Sequence, residues 1–175
     1  MRKLAFAFSF FVASTGVAFA QGAAPEMYGV HEIILEQSVI DDTKSATTCG
    51  VTSEKIELAL DNVFKDSGVP VVIAANARPQ SLGVARIQLI PEVYTHVDET
   101  LGCVSWVSLS AENRVTAVIA PVKALRSINL LYWQQHTKVA TAQTVHQQKV
   151  IDMMQKMATQ FVQKYRESQP PDQAQ

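Results

Sequence analysis

Val84–His96 reads VARIQLIPEVYTH, and its alternation decides the fold class. Ala85, Ile87, Leu89 and Val93 share one face of an extended chain, and Arg86, Gln88, Glu92 and His96 share the other. A period of two over this length is a half-buried β-strand. Pro91 cannot donate to a ladder, so the pattern predicts an edge position or a bulge there.

The next residues continue the theme. Asp98–Gly102 reads as a turn, and Cys103–Ser110 (CVSWVSLS) as a strand with Cys103, Ser105, Val107 and Leu109 on one side. Glu112-Asn113 reads as a tight turn into a strand over Arg114–Ala120, and Ser127–Gln135 as a further strand. Short strands joined by short turns pair antiparallel, which predicts a meander.

Two helices flank these strands. Thr52 is placed to cap a helix that carries Ile56, Ala59, Leu60, Val63 and Phe64 at helical spacing, with Glu54 in its first turn. Ser67-Gly68 and Pro70 stop it. The second helix starts between Val139 and Thr144, where Thr144-x-x-Gln147 matches a capping box. Its stripe is Val150, Met154, Met157, Phe161 and Tyr165, and Ser168-Gln169-Pro170-Pro171 ends it. Earlier, Tyr28–Glu36 and Val69–Ala74 read as strands, and Gln37–Gly50 and Ala75–Gly83 as loops.

The fold class is therefore α+β: two layers, a mainly antiparallel sheet of four to six strands, and two helices packed on one face. The domain plan is a signal peptide over 1–20, one α+β domain over 21–167 and a disordered tail over 168–175. The leader rests on Arg2-Lys3, the apolar run Leu4–Ala13 and the small-x-small triplet Ala18-Phe19-Ala20. Its apolar run is shorter than the roughly 20 residues a spanning helix needs, and no transmembrane segment is expected after cleavage.

Cleavage takes two basic residues from fifteen, leaving thirteen against sixteen acidic ones and a formal charge of about −3. That balance argues against electrostatic nucleic-acid binding, which needs a clustered basic surface, and no nucleic-acid partner is expected. Cys49 and Cys103 lack C-x-x-C spacing and, in an exported chain, predict a structural disulfide. The expected location is periplasmic or secreted.

Motifs for chemistry are missing. There is no G-x-S-x-G elbow and no Gly-rich phosphate loop, and no cofactor is expected. His31, His96, His136 and His146 show no metal-ligand spacing, so no metal site is expected. Met153, Met154 and Met157 read as core rather than as copper ligands. Asp41-Asp42 and Asp98-Glu99 read as solvated turns.

What remains is a surface. If both helices cover one face, the other carries Arg86, Glu92 and the aromatics Trp106, Tyr132 and Trp133 as a candidate binding surface. The leading expectation is a non-enzymatic exported module that binds a protein partner in envelope assembly, secretion or transport. The second is a carrier of a small apolar molecule or lipid, with its pocket between the sheet and the C-terminal helix. The third is a hydrolase whose residues are scattered in sequence.

Overall fold

The strand residues alternate in burial along β4 (Arg86–Asp98), where Ile87, Leu89, Pro91, Val93 and Thr95 turn inward. In this computed structural model the described residues are 27–169 except 28, 42, 77–85 and 120–123. The expected leader lies outside them, as do residues 170–175 of the expected tail; Ser168 ends the last helix, and the Gln169 amide donates to the Met27 carbonyl at 2.9 Å.

Among the described residues six strands form one sheet in the order β3-β1-β4-β5-β6, with β2 also against β4. β1 (Glu32–Leu35), β2 (Val39–Asp41) and β3 (Val71–Ile73) are short. β5 (Gly102–Ile119) and β6 (Ala124–Thr141) run to 18 residues each. The meander β4-β5-β6 is antiparallel, as the alternation predicts. β1 is parallel to both of its neighbours, and β2 is parallel to β4. The fold is α+β, and the sheet is mixed at one side.

Three local readings need correction. Gln37–Gly50 is not a plain loop: it holds β2 and the short helix α1 (Thr43–Thr48), whose Ala46 and the following Cys49 are buried. Glu112-Asn113 is not a turn: β5 continues through it. Neither residue supplies the positive φ of a two-residue hairpin. Instead the register slips, because Ala111 faces Trp133 while Glu112 faces Leu131. Tyr132 is thus the extra residue of a bulge in β6. The third concerns Thr144. The capping box does not form, because β6 runs to Thr141 and α3 (Gln143–Ser168) starts behind Ala142 without a side-chain cap.

Pro91 lies inside the central strand rather than at an edge, and the sheet explains how. β1 pairs with Arg86–Leu89 and β2 with Glu92–Tyr94, so the ladder breaks at Ile90-Pro91. The Leu89 carbonyl accepts the Glu36 N–H at 2.9 Å on that side. The two-residue period turns the Pro91 nitrogen to the same side, into the break.

α2 (Ser53–Ser67) follows Thr52, whose backbone is extended but whose side chain makes no cap bond. Gly68 ends it in the left-handed conformation at φ 69°. α2 and α3 meet through Phe64 and Phe161, edge to face with centroids 6.3 Å apart. Both cover the inward face of β4 and β5: Val93, Val107, Leu109, Met154 and Phe161 have no exposed surface. Tyr165 donates to the Val30 carbonyl at 3.0 Å and ties α3 to the start of the sheet.

Cys49 and Cys103 form a disulfide, joining α1 to the base of β5 across 54 residues. Closing a loop of that size removes about 4 kcal/mol of unfolded-state entropy. The double substitution Cys49→Ser with Cys103→Ser is therefore expected to lower the unfolding free energy by about 4 kcal/mol in urea. A loss under about 1 kcal/mol would show that the cross-link does not restrain the unfolded chain as this model of its action requires.

Candidate functional site

The even-numbered residues of β4 and β5 point away from the helices. Their cross-strand neighbours form rows over three strands. Tyr94 faces Trp106, which faces Lys138; Glu92 faces Ser108, which faces His136. Asp41 of β2 sits beside Tyr94 at the end of the first row. Trp106 is 50% exposed and Tyr94 42% exposed. Directly opposed aromatics on one sheet face are in contact range. They border a shallow depression of about 230 Å³ with Asp41, Thr95 and His96.

The sequence candidates separate on this frame. Trp106 and Glu92 lie on the uncovered face, and Glu92 is half-buried. Arg86 is on the same face, but its guanidinium pairs with Glu32 and its side chain is only 14% exposed. Trp133 is turned the other way: its ring meets Phe161 edge to face at 5.5 Å, beneath α3. Tyr132 is half-buried at the bulge and packs against the core. The bulge lets the two adjacent aromatics both pack against the core, leaving neither as an anchor on the uncovered face. Tyr94 is the residue that sequence reasoning passed over, although it sits at an even position of the same strand pattern as Arg86 and Glu92.

Further along the same face, a polar hollow of about 470 Å³ opens where Glu36, Gln88, Glu112, Arg114 and Asn129 converge. Beyond Glu112 the sheet narrows. Asn113–Ile119 and Ala124–Leu130 pair only with each other among the described residues, as a two-stranded ribbon. Val118 and Leu125, opposed on it, are 63% and 68% exposed.

The one histidine with a built environment is His146, in the first turns of α3 and fully buried. Its Nε2 lies 2.7 Å from the Ser105 hydroxyl, and its Nδ1 lies 2.8 Å from that of Thr141. Ser105 is in turn 2.7 Å from Thr95. A serine beside an imidazole is the spacing of a nucleophile and its base. Here Ser105 and His146 have no exposed surface, and both ring nitrogens face hydroxyls rather than a carboxylate. The chain Thr95–Ser105–His146–Thr141 satisfies buried polar groups where α3 meets β5 and β6. His31, His96 and His136 are exposed. Among the described residues no three of His, Cys, Asp and Glu group as metal ligands, and no helix is long and apolar enough to cross a membrane.

No family model matches the sequence, and no curated protein does. Among solved structures, a PelC dodecamer from Paraburkholderia phytofirmans is 14% identical, with 78% of this chain and 87% of that chain covered and a TM-score of 0.38. A neuraminyllactose-binding hemagglutinin homolog from Helicobacter pylori is 12% identical, with 80% and 90% covered and a TM-score of 0.36. At such scores neither likeness bears on what this chain does.

Two outcomes follow from these placements. Trp133→Ala opens a hole under Phe161 and should cost about 2 kcal/mol or more in urea unfolding, whereas Trp106→Ala should cost less than about 1. Equal losses would put both indoles in one environment.

The second outcome concerns pH. Burial lowers the His146 pKa from its ordinary 6.5. The folded chain keeps the ring neutral, while the unfolded chain binds a proton as the pH drops below about 6.5. The His146 contribution is thus complete above that pH and declines below it, until the folded ring itself protonates. The slope is at most about 1.4 kcal/mol per pH unit. His146→Gln should be about 1–3 kcal/mol less stable at pH 7.5 and should lose less stability than wild type between about pH 6.5 and 5. Parallel pH curves would remove His146 from the acid response.

Proposed function

We propose that this chain is an exported, non-enzymatic module that binds a protein partner through the uncovered sheet face. The observation that carries the reading is the opposed pair Tyr94 and Trp106, half-exposed on a face that neither long helix covers. Aromatic side chains bury large area at low entropic cost and are the usual anchors of protein interfaces. Around them lie Asp41, Glu92, His96, His136 and Lys138, charged and polar groups suited to a rim. The disulfide supports an oxidising compartment and so an exported chain.

The carrier reading needs a cavity between the sheet and α3. Among the described residues that space is filled by Val107, Leu109, Met154 and Phe161, which favours a surface over an internal pocket. The hydrolase reading needs an accessible nucleophile and base. The Ser105–His146 pair is sealed, which favours binding over catalysis.

The test is a photo-crosslinking residue placed at Trp106 in the full chain, expressed in its native host. The control position is Lys156, exposed on the far side of α3. A discrete adduct from position 106, absent from 156 and lost when Tyr94 is changed to Ala, is expected. Equal adducts from both positions, or none from 106, would refute the sheet face as the docking surface.

A further inference from the structure

A second surface lies on the helix side, and it does not depend on the sheet-face reading. The unit β1-α2-β3 places two parallel strands under one helix. Where the carboxyl ends of β1 and β3 meet the first half of α2, a groove of about 690 Å³ opens. Its volume falls within the roughly 300–1,000 Å³ range of ligand-sized clefts. Apolar side chains from all three elements line it: Leu35 is buried, while Leu58 is 61% and Ile73 42% exposed. Two large aliphatic side chains held open to water in one groove mark a contact surface.

The charge around this apolar lining has one sign. Glu36, Glu54, Glu57 and Asp61 line the groove, and among the described residues no Lys, Arg or His does. Three of them lie along one stripe of α2, with Glu54 and Glu57 three apart and Glu57 and Asp61 four apart. Like charges at these spacings oppose helix formation. Their other bonds leave the charge in place: Glu57 accepts the Ser38 N–H at 3.1 Å, and Glu36 accepts the Gln88 amide at 2.7 Å. Among the described residues Asp61 is the one of the four in an ion pair, with the well exposed Lys65, and the neighbouring Lys55 acts on Glu54. A helix start beside strand carboxyl ends ordinarily suits an anion; here the carboxylates reverse that preference.

We propose that this groove binds an amphipathic, Lys- or Arg-bearing peptide segment of a partner protein. Its aliphatic side chains would cover Leu58 and Ile73, and its cations would meet the four carboxylates. β3 favours a peptide over a small amphiphile: among the described residues its one strand partner is β1, which leaves backbone N–H and C=O groups on its outer edge for a peptide to bond.

The probe is a fluorescein-labelled twelve-residue peptide of alternating Leu and Lys, extended so that one face is aliphatic and the other cationic, titrated into the full chain by anisotropy. Its controls are the Leu/Glu counterpart and dodecyltrimethylammonium. Saturable binding is expected, weakened by salt, absent for the Leu/Glu peptide and at least about tenfold weaker in Leu58→Ser and in Glu54→Gln with Asp61→Asn. Trp106→Ala should change it less than twofold, which separates this groove from the sheet face. Carbodiimide coupling of the bound Lys peptide to wild type should map to Glu36, Glu54, Glu57 or Asp61, and this reading needs no variant to fold. No saturable binding, full affinity in the groove variants, coupling to Asp41 or Glu92 instead, or binding of the small amphiphile but not the peptide would each overturn the proposal.

Discussion

A strand has two faces, and in this chain the helices cover only one. That asymmetry follows from the side-chain period of β4 and β5. Odd positions of β4 from Ile87 to Thr95 and of β5 from Cys103 to Ala111 are apolar or small and buried on the side of α2 and α3, with Phe161 touching Phe64, Trp133 and Tyr165. Even positions carry Gln88, Glu92, His96, Ser108 and the two exposed aromatics, with Val104 and Ser110 buried among them. A one-residue slip would exchange the two sets, so the burial of Phe161 and the exposure of Trp106 are one constraint seen from opposite sides.

The sheet departs from strict alternation at one place, and that place limits the candidate site. The bulge at Tyr132 lets β6 keep step with a strand that does not turn at Glu112. Without the extra residue, the distal half of β6 would present its opposite face. The disulfide and the His146 chain act at the other end of β5. Cys103 faces Thr141 across the ladder, and Thr141 bonds His146. One covalent link and one polar network therefore fix α1 and the start of α3 to the same two strands.

The two-layer plan was legible because its signals are periodic. Ile56, Leu60 and Phe64, and Val150, Met154 and Phe161, appear at helical spacing, and all are buried. The cysteine pairing was legible because two half-cystines admit a single partner. The site was legible only in part. Trp106 could be placed by its parity with Val104 and Ser108. Trp133 could not, because its parity is counted through a bulge that no turn residue announces. The parallel pairing of β1 and β2 with β4 was hidden as well: it depends on non-local contacts of segments three and four residues long. The paired acids of α2 are visible in the sequence as a charged stripe, but the apolar groove beside them needs β1 and β3 in place.

Hydroxyl-radical footprinting of the native chain, read residue by residue along β4 and β5, tests the one-sided cover most directly. Oxidation should alternate with a period of two: strong at Tyr94 and Trp106, weak at Val93, Val107 and Leu109, and weak at Phe161 and Trp133 across the interface. Protection of Tyr94 and Trp106 to the level of Phe161 in the isolated monomer would mean that the second face is covered, and the account of this chain as a sheet with one open side would fail.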